Sequence, residues 1–126
     1  DKKISRYYSS KNFKSWMLKI GYSPPHLSAF FKIDVYKQVG LYKTDFKIAG
    51  DFDFFVRCFL KYKLKFSYLD ECLIYMTTGG TSGKNFLSYL ASSKEINNSL
   101  KSNKIYSNIF ITFFRFPIKL IQFILR

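Results

Sequence analysis

The sequence predicts a mixed α/β domain in which amphipathic helices alternate with short strands. Helices are indicated by apolar residues that recur every three or four positions, and strands by short runs that alternate or are uniformly apolar. The chain has 126 residues, 48% of them hydrophobic and 21% aromatic. This length suits one domain and this composition supplies a core, so we expect a single folded unit.

An amphipathic helix is predicted over residues 10–20. Its apolar side chains recur at helical spacing, at Phe13, Trp16, Met17 and Ile20. Gly21 follows directly and is a typical helix stop, so we expect a turn at that position.

A buried strand is predicted over residues 27–33, which form an apolar run of strand length. Pro24 and Pro25 favour extended backbone just before this run. Asp34 then predicts the N-cap of a short helix, and Gly40 predicts its end.

The central helix is predicted to begin at Asp51, with carboxylates in its first turn, where the helix dipole favours them. Its apolar stripe consists of Phe54, Phe55, Cys58, Phe59 and Tyr62. Two more strands are predicted over residues 65–69 and 73–77, and a second long helix over residues 85–103.

The charge balance favours anionic partners. The chain has 21 Lys and Arg against 8 Asp and Glu, a net charge of +13, which suits phosphates, nucleic acid or an acidic membrane. The two cysteines show no C-x-x-C spacing, and we interpret them as reduced, small hydrophobic residues. The chain has one histidine, which excludes sites that need two imidazoles.

Asp51 and Asp53 form a D-x-D pattern, which many sugar-nucleotide transferases use to hold a divalent metal. On a helix, however, residues i and i+2 point about 200° apart, so we assign no metal to this pair. Gly50 allows a ligand to approach the backbone, and a carboxylate at a helix start can act as a general base. The alternative is that Asp51 only caps the helix.

These residues lie in an order that resembles the second half of family-two glycosyltransferases, which have the GT-A fold. The resemblance rests on His26, Phe30, Tyr36, Gly40, residues 48–54, Arg57 and residues 79–82. It implies that residues 1–84 are the acceptor-side half of a GT-A domain and that residues 85–126 are a helical tail. A nucleotide-binding half is then expected to precede this chain, which alone is expected to be inactive.

The resemblance implies Asp51 as the base that deprotonates the acceptor hydroxyl, although Gly50 stands where the family often has Glu or Ala. The positions that it implies for substrate binding are His26, Asp53, Arg57, Gly79, Gly80, Thr81 and Ser82. Each has a structural alternative: a hydrogen-bonded histidine, an i, i+4 ion pair between Asp53 and Arg57, and a simple glycine turn.

The implied reaction is transfer of a sugar, with inversion, from a nucleotide-sugar donor to a saccharide or lipid-linked acceptor in cell-surface polysaccharide synthesis. A divalent metal, Mg or Mn, is expected in the full-length enzyme, with its ligands mostly outside this chain. The implied location is the cytoplasmic side of the cell membrane, as a peripheral protein.

Residues 105–126, here called the C-terminal segment, predict an amphipathic helix at an anionic membrane surface. Its polar residues form one stripe, at Asn108, Thr112, Arg115, Lys119, Gln122 and Arg126. Pro117 is expected to kink this helix, and the charges argue against a membrane span. The alternative is that the helix packs on the other half of the enzyme.

A rival function is a non-enzymatic basic module that binds nucleic acid or a membrane, because the chain combines positive charge with many aromatic residues. The sequence shows no zinc, RNP or glycine-lysine phosphate motif. We therefore expect no nucleic acid partner.

Overall fold

The computed structural model describes residues 7–76 and 86–124, and the regular secondary structure of these residues is helical. Two 3₁₀ helices come first, at Ser15–Ile20 and His26–Ser28. The α-helices are α1 (Ile33–Val39), α2 (Gly50–Val56), α3 (Phe86–Ser102), α4 (Ile109–Phe113) and α5 (Arg115–Ile124), and a π-helical turn, Arg57–Lys61, continues α2. The predicted loop residues Gly79, Gly80, Thr81 and Ser82 lie outside the described residues.

The predicted α/β fold is wrong, because residues 7–76 and 86–124 contain no strand or sheet. Residues 27–33 instead include part of a 3₁₀ turn and the start of α1, and residues 65–69 and 73–76 are irregular. A strand requires a hydrogen-bonded neighbour, and the local apolar pattern does not supply one.

Part of the apolar pattern of these segments is buried by side-chain packing, whereas Leu27, Ile33, Leu69 and Tyr75 are exposed. Phe31 packs its ring against Phe54, with centroids 5.0 Å apart, while its neighbour Phe30 is exposed. Phe66 contacts the rings of Phe13 and Phe59 in the same way, at 5.3 and 5.1 Å. Extended chain that rests on helices therefore produces the same sequence signal as a strand.

The first predicted helix is a shorter 3₁₀ helix, and the tighter winding changes which residue is buried. Leu18, which is not part of the predicted stripe, is fully buried, whereas Trp16 is exposed. In a 3₁₀ helix, residues three apart lie on the same face, whereas residues four apart do not. Apolar residues that recur at intervals of three and four therefore do not all lie on one face. Gly21 ends the helix in the left-handed region, at φ 83°, as predicted.

Helix α1 forms where it was predicted, but Asp34 is not its N-cap. The cap position is Lys32, and Asp34 lies in the first turn, exposed and 3.1 Å from the Lys37 amine. Gly40 ends the helix at φ 88° and ψ 173°, a conformation that glycine tolerates and residues with a Cβ do not.

Helix α2 is the centre of the core. Phe52, Phe55 and Val56 are buried against the first 3₁₀ helix on one side and against Ile96 and Leu100 of α3 on the other. Phe54 and Cys58 point to a second cluster with Val39, Phe31 and Tyr36. Since α2 is buried nearly all round, its first turn is fixed relative to every neighbouring element.

The C-terminal segment forms two helices that break at Phe114. Pro117 explains the break, because its nitrogen carries no hydrogen for the carbonyl oxygen of Phe113 and its ring disfavours an unbroken helix there. Among the described side chains, the polar stripe faces the protein, since Thr112 and Arg115 are buried. The opposite, apolar face is exposed at Phe110, Phe113, Phe114, Phe116, Leu120 and Ile121.

Candidate functional site

A cleft of about 530 Å³ opens at the first turn of α2. The turn at Pro24, Pro25 and His26 forms one wall, residues 46–52 form the floor, and α3 and α5 contribute Ser92, Ile96 and Arg115. Among the predicted site residues, His26 and Asp51 are brought together here. A larger groove of about 660 Å³ adjoins this cleft at Tyr8, Pro24 and Pro25, is lined mainly by apolar and aromatic side chains, and contains none of the predicted site residues.

Asp51 and His26 form the polar centre of the cleft. His26 Nδ1 lies 3.0 Å from Asp51 Oδ2, and the two side chains are 54% and 29% exposed. Asp51 is not a helix cap, because Ala49 occupies the cap position and no side chain caps α2. Pro25, which is extended at φ −64° and ψ 117°, places His26 at the start of the 3₁₀ turn opposite Asp51.

The loop that delivers Asp51 is held by Glu95 of α3. Its carboxylate accepts hydrogen bonds from the amides of Lys47, Ile48 and Ala49, at 3.1, 2.9 and 2.9 Å. Burial alone raises the pKa of the Glu95 carboxyl, but these three hydrogen bonds outweigh it, so the pKa lies below its ordinary value. Glu95 therefore fixes the backbone next to Asp51 as an anion.

Asp53 lies on the other side of α2 and forms a buried polar hub. Its side chain is fully buried and accepts hydrogen bonds from Arg57 Nε at 2.9 Å, Ser99 Oγ at 2.8 Å and Asn103 Nδ2 at 3.1 Å. The amine of Lys43 lies 3.8 Å away. These partners tie α2 to α3, and the predicted substrate role of Asp53 stays a prediction.

Arg57 completes this hub. Besides pairing with Asp53, it donates to the carbonyl oxygens of Val39 and Leu41, both at 2.8 Å, and its guanidinium lies over the Phe54 ring. The i, i+4 pair considered from the sequence thus exists, but it is buried and not exposed. Its position explains how α1 is anchored to α2, and a role in substrate binding stays a prediction.

Arg115 is a cleft residue that the sequence did not indicate, because it belongs to the polar stripe of the helix predicted to lie at a membrane surface. It is 97% buried, since its exposed fraction is 3%. It donates to Ser93 Oγ at 2.8 Å and, at 3.3 Å, to Ser92 Oγ and the Tyr89 carbonyl oxygen. Its guanidinium lies 4.5 Å from the centre of the Tyr89 ring.

Glu95, Ser99 and Asn103 were also missed by sequence reasoning. Glu95 and Ser99 lie on α3 and Asn103 directly follows its end, and their intervals of four place them along one polar line. That line was the available signal, but its partners are far away in sequence. Asp53 lies 46 residues before Ser99, so only packing brings them together.

The divalent metal implied by the resemblance finds no matching ligand set in residues 7–76 and 86–124. Asp51 is paired with His26 and Asp53 with Arg57, and no three His, Cys, Asp or Glu side chains cluster within the described chain. No step proposed for this chain passes through a metal.

No protein-family model, no curated protein and no solved structure matches this chain. The resemblance to family-two glycosyltransferases therefore stays an expectation drawn from the order of its residues. Among the described helices, none combines the length and the apolar character needed to cross a bilayer.

Proposed function

We propose that this chain activates the acceptor in a glycosyl transfer that proceeds with inversion, and that Asp51 is the general base. The observation that carries this proposal is the Asp51 carboxylate, which lies partly exposed in the cleft with one oxygen 3.0 Å from His26. The order of residues that resembles family-two glycosyltransferases supports the same role.

The geometry suits the removal of one proton. His26 Nδ1 lies beside Oδ2 of Asp51, and no other described side chain forms an ion pair with this carboxylate, so Oδ1 is available to an acceptor hydroxyl. As the acceptor oxygen forms its bond to the anomeric carbon, its proton passes to Oδ1, and the bond to the nucleoside diphosphate breaks on the opposite face of the sugar. His26 acts as a positioning residue, because it fixes which oxygen faces the cleft.

The acceptor side of this proposal includes the membrane. The apolar face of α4 and α5 exposes large side chains, with Phe110 79%, Phe114 64% and Phe116 52% accessible. An exposed apolar face on a chain of net charge +13 fits attachment to an anionic bilayer surface. A lipid-linked acceptor would then meet Asp51 near that surface, on the cytoplasmic side.

The proposal is tested by replacing Asp51 with Asn. We expect Asp51→Asn to lower transfer by about 10²- to 10⁴-fold, because an amide cannot accept the proton. The assay uses the complete gene product, since the resemblance implies a separate nucleotide-binding half, with a panel of nucleotide sugars and a lipid extract as acceptor. The control is Asp45→Asn, which removes the same charge from an exposed position outside the cleft lining.

Transfer by Asp51→Asn at the wild-type rate would exclude Asp51 as the base. If no nucleotide sugar supports transfer but the protein binds an oligonucleotide with strong salt dependence, the basic-module alternative is favoured instead.

Membrane attachment is tested with single charges on the exposed face. Phe114→Glu should weaken binding to vesicles of anionic lipid by about tenfold or more, because one aromatic side chain no longer enters the bilayer. Tyr75→Glu is the control, since Tyr75 is 82% exposed and lies outside the C-terminal segment. Equal losses in both variants would mean that charge, and not the α4 and α5 face, decides binding.

A further inference from the structure

We propose that Arg115 forms a binding site for a phosphate group in the cleft beside Asp51. This deepens the proposed function, on which it rests in one respect: the phosphate belongs to a molecule whose reaction takes place at Asp51. The phosphate site itself is argued from the surroundings of Arg115, and it can be tested without any transfer assay.

Arg115 is a buried cation without an anion. None of the described carboxylates lies within ion-pair distance of it, although it is only 3% exposed. An arginine side chain keeps its charge in proteins, so burial cannot be relieved by loss of a proton. Buried charges are normally paired with an opposite charge. The absence of such a partner for Arg115 among the described residues therefore needs an explanation.

The contacts of Arg115 are neutral and incomplete. They consist of two serine hydroxyls, one carbonyl oxygen and the face of the Tyr89 ring. Nε is buried and has no hydrogen-bond acceptor in the structure. The serines orient the guanidinium while leaving both its charge and one donor uncompensated.

The cleft has room and the right charge for an anion. Arg115 lines the same cavity of about 530 Å³ as Lys47 and Ser92, and the one carboxylate in that lining, Asp51, is already paired with His26. Gly21 also lines it, and the Arg115 stem passes close by, with Cδ 3.4 Å from where a Cβ would stand. Among the lining residues two cations, Arg115 and Lys47, thus face one carboxylate, while the Glu95 carboxylate lies behind the floor, bonded to the amides of residues 47–49.

Phosphate is the ligand class that fits best. A guanidinium presents paired N–H donors whose geometry matches two oxygens of a phosphate, and the bond is strengthened by both charges. Such a group can come from the diphosphate of a nucleotide or from a phosphorylated lipid, and the chemistry recognised by Arg115 is the same.

The decisive measurement uses the wild-type protein. The Arg Nε–H resonances are followed by NMR while inorganic pyrophosphate is added. We expect the Arg115 resonance to shift with saturation, whereas the Arg57 resonance stays in place because Arg57 Nε is already bonded to Asp53 at 2.9 Å. If the Arg115 resonance does not move, or if both resonances move alike, the proposal is wrong.

A matched pair of variants measures the contribution of Arg115. Arg115→Gln should weaken pyrophosphate binding by about 10- to 100-fold, since a charged hydrogen-bonding partner is lost. Lys101→Gln removes the same charge from an exposed position on α3 outside the cleft lining and should leave affinity nearly unchanged. Equal weakening in both variants would mean that pyrophosphate binds by non-specific charge attraction, and the proposal would be wrong.

Competition identifies the source of the phosphate. Displacement of pyrophosphate by a nucleoside diphosphate supports a nucleotide site, and displacement by phosphatidylcholine vesicles that contain phosphatidic acid, but not by phosphatidylcholine alone, supports a lipid site. Asp51→Asn should retain pyrophosphate binding while losing transfer. Failure of the base and failure of the phosphate site are thus separate results.

Discussion

The protein buries two guanidinium groups in different ways. Arg57 is 5% exposed and pairs with the fully buried carboxylate of Asp53, whereas Arg115 is 3% exposed and meets neutral groups only. Arg57 is held by Asp53 of α2, Val39 of α1 and Leu41, whereas the hydrogen-bond partners of Arg115 all lie on α3. Both guanidinium groups lie over an aromatic ring, Phe54 or Tyr89.

This difference separates a structural ion pair from a candidate binding group. The Arg57 hub is internally complete, because its charges compensate each other and its donors reach Asp53, Val39 and Leu41. Arg115 keeps an unused donor and an uncompensated charge beside an open cleft. Buried charge of the first kind specifies packing, whereas buried charge of the second kind is ready for a ligand.

The largest expected effect on stability comes from removing Arg57. Arg57→Met should lower the free energy of unfolding by about 3–5 kcal/mol, because it removes the close cation of the buried Asp53 carboxylate and leaves only the Lys43 amine, 3.8 Å away. Arg115→Met should change it by about 1 kcal/mol or less, because it leaves no buried anion and Met fills the space of the aliphatic stem. Urea unfolding of the three proteins measures both differences. Equal costs would mean that the two arginines have the same structural role.

Substitution of the glycines next to the two arginines extends the comparison, and we expect effects of intermediate size on stability. Gly40→Ala should cost about 2–3 kcal/mol, because φ 88° with ψ 173° is nearly exclusive to glycine. Gly21→Ala should cost about 1–2 kcal/mol, because φ 83° with ψ 12° lies in the left-handed region, where other residues are strained but present. Thermal unfolding measures both variants, and a larger cost at Gly21 would point to crowding of Arg115 instead of backbone conformation.

The smallest expected effect concerns Glu95, whose charge is compensated by backbone amides and not by a guanidinium. Because its pKa is lowered in the folded state, its contribution is present above the ordinary glutamate pKa and is lost as the pH falls through the lowered pKa. At neutral pH, Glu95→Gln should cost less than about 1 kcal/mol, since the group is largely screened by solvent.

Urea unfolding at neutral pH and near pH ~3 tests this dependence, because the lower pH lies below the ordinary glutamate pKa of about 4.3. The difference between wild type and Glu95→Gln should shrink on acidification, and the exposed residue Glu71 supplies the control, Glu71→Gln. A difference that persists at low pH would show that the Glu95 charge is not what holds residues 47–49.

Local rules predicted much of the helical structure. The stops at Gly21 and Gly40, the apolar stripe of α2 and the extent of α3 follow from spacing and from the conformational freedom of glycine, which act over a few residues. The divergence of Asp51 and Asp53 follows from helix geometry in the same way, and the structure places one in the cleft and one in the core.

Those local rules could not predict interactions between residues that are distant in sequence. The sequence indicated His26 and Asp51 separately as site residues, but their 3.0 Å contact depends on how the proline turn packs against α2. The inward direction of Arg115 depends likewise on α3, which supplies its serines from 22 and 23 residues away.

By itself, the sequence determined the helix stops at Gly21 and Gly40, the extent of α3, which side of α2 each carboxylate occupies, and that the C-terminal segment has a polar stripe opposite an apolar face. The tertiary structure decided that extended segments of residues 7–76 pair with no strand, that Thr112 and Arg115 of the polar stripe face inward, and that a cleft forms at Asp51. The reason is physical: helix periodicity and turn chemistry are local, whereas a strand needs a partner and a buried charge needs surroundings that only distant residues supply.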